Sequence, residues 1–183
     1  MESMFEKWSQ KTLRAKIGFV PQKTVLFSGT IAENIKYGKE DATMAEIEHA
    51  AQVAQATEFV SGIQAGFDHP IAQGGTNVSG GQKQRLSIAR ALIRKAEIYI
   101  FDDSFSALDF KTDAKLRAAL KPEIADSTVF IIAQSVSTVR DADRIIVLDD
   151  GQISGIGTHK ELLTICKVYR EIVASQLSEE ELA

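Results

Sequence analysis

Residues 78–93 read VSGGQKQRLSIARALI, a short polar loop followed by an amphipathic helix. Ser79 is the expected N-cap of that helix, and Gly80 and Gly81 leave the first backbone amides open to close approach. Open amides and the helix dipole favour an anion such as a terminal phosphate, although an ordinary Ser-Gly-Gly loop at a helix start is the simpler alternative. The buried side of the helix is predicted to consist of Leu86, Ala89, Leu92 and Ile93.

Strands and helices alternate on both sides of this segment. Strands are predicted over residues 17–20, 98–101, 128–133 and 144–148. Helices are predicted over residues 43–60, 79–94 and 111–120 and from residue 158 onward, after a turn at 149–151 and an extended segment at 152–157. Because the strands are almost continuously apolar, the pattern predicts an α/β fold with a mostly parallel sheet covered on both faces.

Polar side chains follow the predicted strands at the points where they end. Gln22 follows the first strand, Asp102 and Asp103 follow the second, and Gln134 follows the third. A solvated strand end would explain any one of them. Ligands of parallel sheets bind beyond the carboxyl ends of the strands, so the coincidence of all four residues favours a ligand site.

The composition restricts the class of protein. The chain has 183 residues, 44% of them hydrophobic and 25% charged, which predicts one globular domain. A net charge of -4 gives no basic surface, so nucleic acid is not an expected partner. The single cysteine, Cys166, allows no internal disulfide and favours a cytoplasmic location. No apolar run approaches the roughly 20 residues that span a bilayer, so a partner would supply any membrane segment.

The motifs from residue 12 to residue 175 resemble, in order, those of the nucleotide-binding domains of ABC transporters of the exporter type. Residues 79–82 match four of the five positions of the ABC signature, with Val78 at the usual leucine position. The segment from 84 to 92 is similar to the family throughout. Further similarity covers the Q-loop (20–22), the exporter-type segments (26–31 and 33–35), the Walker B strand (98–102) and the D-loop (106–109).

This resemblance implies a partial RecA-like P-loop NTPase sheet, an ABC α-helical subdomain at about residues 40–95, and ATP and Mg²⁺ as cofactors. Asp102 would hold Mg²⁺ through water, and Gln22 would contact the water shell of the metal. Ser106 and Asp109 would lie at the interface with a second nucleotide-binding domain, and the loop around Gln22 would face a transmembrane domain. The residues implied in nucleotide binding are Ser79, Gly80, Gly81, Gln82 and Gln22.

The phosphate-binding loop of the family, Walker A, is not found among these residues. No Gly-x-x-x-x-Gly-Lys-Ser/Thr segment occurs, and the one Gly-Lys pair, Gly38-Lys39, is followed by Glu40. Residues 1–11 do not resemble the family, so we expect an atypical leader there and an N-terminally truncated, C-terminal part of the domain over 12–183. Loss of several charged hydrogen bonds of about 1.5–3 kcal/mol each predicts at least a thousandfold weaker ATP binding by the isolated chain.

Two predicted catalytic positions also depart from the family. Asp103 stands where the family has a catalytic glutamate, and its carboxylate falls about 1.5 Å short of that position. Gln134 stands at the position of the switch histidine, and an amide cannot accept a proton or become a cation. The resemblance therefore implies the degenerate-site half of a heterodimeric, multidrug-type exporter, which lends an intact signature to the competent site of its partner.

Three functions remain open at this point. The first is an ABC-type ATPase that couples ATP binding and hydrolysis to transport at the cytoplasmic face of the cell membrane. The second is a non-enzymatic module that donates its signature and D-loop to a partner ATPase. The third is an inactive, truncated gene product.

Overall fold

The computed structural model describes residues 8–176, so residues 1–7 of the predicted leader lie outside the described residues. The chain divides into two compact units, Met1–Ile132 and Ala133–Ala183. The helices of the described part are α1 (Gln10–Ala15), α2 (Ile31–Lys36), α3 (Met44–Val53), α4 (Thr57–Ser61), α5 (Gly80–Leu92), α6 (Phe110–Glu123), α7 (Val136–Val139), α8 (His159–Ile165) and α9 (Lys167–Gln176). Its strands are β1 (Ile17–Val20), β2 (Gly29–Thr30), β3 (Pro70–Ile71), β4 (Ile98–Asp102), β5 (Thr128–Ile132), β6 (Ile145–Asp149) and β7 (Gln152–Gly157).

The first unit contains a parallel sheet in the order β1-β4-β5. Phe19 of β1 is paired in register with Ile100 of β4, and Ile100 is paired with Phe130 of β5. The strands are short apolar runs, as expected for parallel strands. The predicted α/β class and the three strands are confirmed, with β4 extending through Asp102 and β5 ending at Ile132.

The two faces of this sheet differ in burial. Val20 and Phe101 belong to an apolar core that also contains Leu116 of α6. On the other face, Phe19 is 52% exposed and Phe130 is 51% exposed. The prediction of a sheet covered on both faces is therefore wrong for the described residues, because the helices of the first unit bury only the face that carries Val20 and Phe101.

The helices begin where the sequence supplies reciprocal caps. In each of four helices the N-cap hydroxyl accepts from a backbone N–H three residues on, and the side chain at that position accepts from the N-cap N–H. The helix predicted over 43–60 is interrupted, because Gln55 adopts a φ of 56° between α3 and α4. No described helix is long and apolar enough to cross a bilayer. The four capping pairs are Thr30 with Glu33, Thr43 with Glu46, Ser79 with Gln82, and Thr158 with Glu161.

The second unit is built on the antiparallel hairpin β6-β7. Asp150 and Gly151 form its turn with φ values of 45° and 76°, as two-residue hairpin turns require. Leu162, Tyr169 and Val173 of α8 and α9 form the core of this unit with residues of β6. The expectation that the strand at 144–148 extends the parallel sheet is wrong for the described residues, because the paired partner of β6 is β7.

Candidate nucleotide-binding site

The N-terminus of α5 is an open, capped helix end. Ser79 Oγ accepts from the backbone N–H of Gln82 at 3.2 Å, and Gln82 Oε1 accepts from the N–H of Ser79 at 2.8 Å. Ser79 and Gly80 are exposed. A Cβ placed on Gly80 would have no atom of the chain within 4 Å. The two hydrogen bonds confirm the predicted cap. The open space at Gly80 allows an anion to approach the first turn of α5 closely.

Gly81 packs directly against the loop that follows β4. A Cβ at this position would lie 3.3 Å from the carbonyl oxygen of Ala107 and 3.8 Å from Leu108 Cδ2. Residues 79–82 and residues 106–109, predicted separately from sequence, therefore meet on one surface. The lack of a side chain at Gly81 lets the two loops make this contact.

The predicted interface residues Ser106 and Asp109 also stabilise their own loop. Ser106 Oγ donates to the carbonyl oxygen of Asp103 at 3.1 Å. Asp109 is the N-cap of α6, where Oδ1 accepts from the N–H of Thr112 at 3.0 Å and Oδ2 accepts from Thr112 Oγ1 at 2.6 Å. The hydrogen bonds from Thr112 lower the pKa of the Asp109 carboxyl, so it carries a negative charge at neutral pH.

The predicted carboxylates lie at the carboxyl end of β4, beside the end of β1. Gln22 Nε2 donates to Asp103 Oδ2 at 3.3 Å, which joins the predicted Q-loop to the predicted catalytic position. Asp103 has a φ of 45°, and its N–H donates to the carbonyl oxygen of Ile132 at 2.8 Å. Asp is among the few residues that adopt this conformation readily. Asp102, Asp103 and Gln22 thus lie together at the carboxyl ends of β1 and β4, as predicted.

These residues fit Mg²⁺ only in part. The described residues contain no group of three or more acidic, His or Cys side chains that could enclose a metal ion. Mg²⁺ usually keeps several waters and takes one or two carboxylates together with phosphate oxygens. Asp102 and the Gln22 amide oxygen therefore suit Mg²⁺ that arrives with a nucleotide, and they do not suit a metal held by protein ligands alone.

Gln134 belongs to the second unit. Its carbonyl oxygen accepts from Gln176 Nε2 at 2.8 Å, and Gln176 Oε1 also accepts from the N–H of Val136 at 2.8 Å. These bonds connect the predicted switch segment to the end of α9. The catalytic role of Gln134 stays a prediction.

Comparison with known proteins decides the family. The sequence profile of the ABC transporter family matches residues 2–106 of the chain.

This chain belongs to the ABC transporter family.

Its similarity to curated ABC proteins extends beyond the profile. An uncharacterized ABC transporter ATP-binding protein of Mycobacterium bovis is 47% identical over 173 residues, which are 93% of this chain and 29% of the relative. A protein of the same description from Bacillus subtilis is 49% identical over 168 residues, 92% of this chain and 29% of the relative. The mitochondrial potassium channel ATP-binding subunit of Rattus norvegicus is 46% identical over 160 residues, 87% of this chain and 22% of the relative. This ABC chain thus spans less than a third of the length of these relatives.

A solved structure agrees with the family. A bacterial Atm1-family ABC exporter with ATP bound superposes with a TM-score of 0.90 and 38% sequence identity, over 93% of this chain and 30% of that chain. The partial RecA-like ABC ATPase fold is therefore confirmed. ABC ATP-binding domains bind ATP, usually with Mg²⁺, and those of exporters typically work with a transmembrane domain.

A half-buried arginine that was not predicted from the sequence, Arg90, connects α5 of this ABC chain to the segment after the Q-loop. Arg90 Nε donates to the carbonyl oxygen of Asn34 and Nη2 donates to Asn34 Oδ1, both at 2.8 Å, while Nη1 donates to the carbonyl oxygen of Val25 at 3.0 Å. Its guanidinium lies 5.0 Å from the ring centre of Phe27 and 5.7 Å from that of Tyr37. Burial lowers the pKa of Arg90. An arginine between two alanines, in the mostly apolar second half of this amphipathic helix, was the available indication.

A second contact joins the same two elements. Thr24 Oγ1 donates to Gln84 Oε1 at 2.6 Å. Gln84 is buried, and its Nε2 has no hydrogen-bond partner among the described residues. An unpaired buried amide costs about 1–3 kcal/mol. The Q-loop side of the site is thus tied to the helix that carries residues 79–82 at both Gln84 and Arg90.

Proposed function

We propose that this chain is the ATP-binding part of an ABC exporter and that it presents residues 79–82 and 106–109 to a nucleotide held by a second ABC domain. One observation carries the proposal. At the N-terminus of α5, Ser79 and Gln82 cap each other, while the space around Gly80 is open. A phosphate approaching from outside the chain would meet backbone amides and the positive end of a 13-residue helix.

The strand ends have a separate role in the proposal. Asp102 and Gln22 would hold Mg²⁺ through its water shell, and the bound ion would neutralise charge on phosphate oxygens. Asp103 would orient an attacking water, since its carboxylate lies at the same sheet edge and accepts a hydrogen bond from Gln22.

Two residues, Asp103 and Gln134, each favour slow hydrolysis. The Asp103 carboxylate is one methylene shorter than glutamate, and a misplacement of about 1 Å can lower a rate about a hundredfold. Gln134 can hydrogen-bond a phosphate but cannot carry a positive charge. We therefore assign this chain to the degenerate-site half of a heterodimer, whose partner domain holds the competent site with the help of Ser79 and Gly81 of this chain.

A transmembrane domain is the second proposed partner. The segment after the Q-loop exposes Val25, Phe27 and Tyr37, at 55%, 43% and 65% exposure. Arg90 connects this apolar group to α5 through the carbonyl oxygen of Val25 and the ring of Phe27. Motion of a membrane partner at the cytoplasmic face of the membrane would thereby reach residues 79–82.

The proposal predicts that the 183-residue chain alone binds ATP weakly, since no Gly-x-x-x-x-Gly-Lys-Ser/Thr segment occurs among its residues. The test has two arms. Labelled ATP with Mg²⁺ is titrated against the chain alone, where micromolar binding would contradict weak binding. The chain is then added to candidate ABC domains from the same organism that carry an intact phosphate-binding loop.

In the second arm we expect at least one of these domains to hydrolyse ATP faster when the chain is present. The matched control is the Ser79→Ala variant, which removes the hydroxyl that accepts the Gln82 N–H. If the chain accelerates ATP hydrolysis by none of the domains that carry an intact phosphate-binding loop, the proposal that residues 79–82 contact a partner's nucleotide is wrong.

A further inference from the structure

Phe110 is the most exposed of the large apolar side chains in the described part of the chain. It is 91% exposed, compared with 69% for Ile165, the next highest. Large apolar side chains that stand clear of a soluble domain are characteristic of protein–protein contacts when polar residues surround them. Its neighbours Asp109 and Lys111 are polar and exposed.

Phe110 lies outside the buried stripe of its own helix. The buried residues of α6 are Leu116 and Leu120. With about 100° of rotation per residue, Phe110 points about 100° away from the middle of that buried stripe. The side chain thus leaves the helix in a direction different from the one in which α6 packs on its own domain.

The backbone at Phe110 is fixed by its neighbours. Asp109 caps α6 through two hydrogen bonds from Thr112, and Ser106 is bonded to the carbonyl oxygen of Asp103. A phenylalanine on a fixed backbone has only two side-chain torsions to immobilise, so docking it costs little conformational entropy. These are the properties of a preorganised anchor.

Phe110 is also close to the surface formed by residues 79–82 and 106–109. A Cβ on Gly81 would lie 3.8 Å from Leu108 Cδ2. Consecutive Cα atoms are about 3.8 Å apart, so the Cα of Phe110 is within about 7.6 Å of the Cα of Leu108. A domain large enough to deliver a triphosphate to residues 79–82 would therefore come within reach of Phe110.

We propose that Phe110 is an apolar anchor that inserts into a recess on the second ABC nucleotide-binding domain, the one that holds the nucleotide facing residues 79–82. This inference rests on the proposed function, and it adds an apolar contact to the polar surface formed by residues 79–82 and 106–109. The exposed Asp109 and Lys111 on either side of Phe110 would form part of a polar rim around the ring, an arrangement typical of interface hot spots.

Site-specific photo-cross-linking in the producing cell tests the anchor. Phe110 is replaced by p-benzoylphenylalanine in the full chain, the cells are irradiated, and the linked peptide is sequenced. A link to an ABC domain that carries a Gly-x-x-x-x-Gly-Lys-Ser/Thr segment supports the anchor. A link to a second copy of this chain, a link to a membrane segment, or no link overturns it.

A parallel experiment separates this inference from the proposed function. The same photo-reactive residue is placed at Gly80, where the structure leaves space for a side chain. A link from Gly80 to a loop-bearing domain without one from Phe110 would retain the proposed function and overturn the anchor. Absence of both links would overturn both.

The strength of the contact is then measured with Phe110→Ala and the domain identified by the cross-link. Removing a fully buried ring weakens the Kd by about 10- to 100-fold, which corresponds to about 1.4–2.8 kcal/mol. The matched control is Ile165→Ala, which also removes an exposed apolar side chain and lies in α8 of the second unit. A Phe110→Ala Kd within twofold of the control value would overturn the anchor.

Discussion

The substitution Gly80→Asp separates the stability of the chain from its proposed function. Gly80 is the first residue of α5, and a Cβ there meets no atom within 4 Å. An aspartate in this position is therefore accommodated without a clash. Its negative charge at the positive end of the helix is expected to stabilise the fold by about 0.3–1 kcal/mol.

Gly80→Asp is expected to weaken the nucleotide-dependent contact between the two domains, although it stabilises the fold. A carboxylate at Gly80 would lie close to the position proposed for a terminal phosphate of the partner-bound nucleotide. Two unit negative charges about 5 Å apart repel by about 0.8 kcal/mol in water and about 3 kcal/mol at an effective dielectric constant near 20. We therefore expect the ATP-dependent association of the two domains to weaken by about 4- to 200-fold.

The assay compares three forms of the chain with the loop-bearing ABC domain. The wild type, Gly80→Asp and the control Gly80→Ala are titrated in the presence of MgATP, and the ATPase rate of the partner is recorded. Thermal unfolding of each form is measured in parallel. Gly80→Ala adds a Cβ without charge, so its ATPase stimulation is expected to remain within about threefold of the wild type, a change of less than about 0.7 kcal/mol.

One result would refute the electrostatic reasoning. If Gly80→Asp stimulates the partner as well as Gly80→Ala does, no phosphate approaches the N-terminus of α5. A lower Tm for Gly80→Asp than for Gly80→Ala would instead contradict the assignment of Gly80 to an unobstructed first turn. The ATPase measurement therefore tests the phosphate contact, and the Tm measurement independently tests the local structure at Gly80.

Three further predictions concern hydrolysis, the stability of α5 and the pH dependence of folding. Asp103→Glu is expected to raise ATP turnover at the degenerate site of the assembled transporter by up to about a hundredfold, because the longer side chain restores the reach of the family's glutamate; equal turnover at that site would contradict the degenerate-site assignment. Arg90→Lys is expected to lower the unfolding free energy by about 2–4 kcal/mol in denaturant titrations, since one ammonium cannot replace three charged hydrogen bonds. Hydrogen bonds from Lys39 and Thr43 lower the pKa of Glu46 from 4.5 to about 2. Glu46 therefore stabilises the fold above pH 4.5, and this contribution is lost as the pH falls towards 2. Glu46→Gln is expected to flatten the dependence of the unfolding free energy on pH in this range.

Local chemistry allowed the elements and the loops of the site to be predicted. Ser79 and Gln82 have the spacing of a capping box, and the structure contains that cap. The run from Ile98 to Asp102 is apolar until its end, so the order of its residues predicted both the strand and the carboxylate that ends it. Each of these features depends on residues that are neighbours in sequence.

The errors concern which segments come into contact, which the apolar character of a single segment does not determine. The run at 144–148 has the apolar character of a parallel strand, but hydrogen bonding to β7 through the turn at Asp150 determines its partner. Arg90 was missed because its acceptors on Val25 and Asn34 are 65 and 56 positions away. Periodicity shows which face of a helix is buried, and it does not show which carbonyl oxygens meet that face.

The contacts of the Q-loop show how the two sides of the site are coupled. Gln22 is hydrogen-bonded to Asp103, Thr24 to Gln84, and the carbonyl oxygen of Val25 to Arg90. Three residues within four positions thus contact both the carboxyl end of β4 and α5. Because these contacts originate from one short segment, a displacement of that segment changes the carboxylate and the signature helix together. Gln84 Nε2 has no hydrogen-bond partner among the described residues, so a displacement that supplied an acceptor would recover about 1–3 kcal/mol. In the proposed transporter, coupling would therefore require no long pathway, because the segment proposed to face the membrane partner itself contacts both Asp103 and α5.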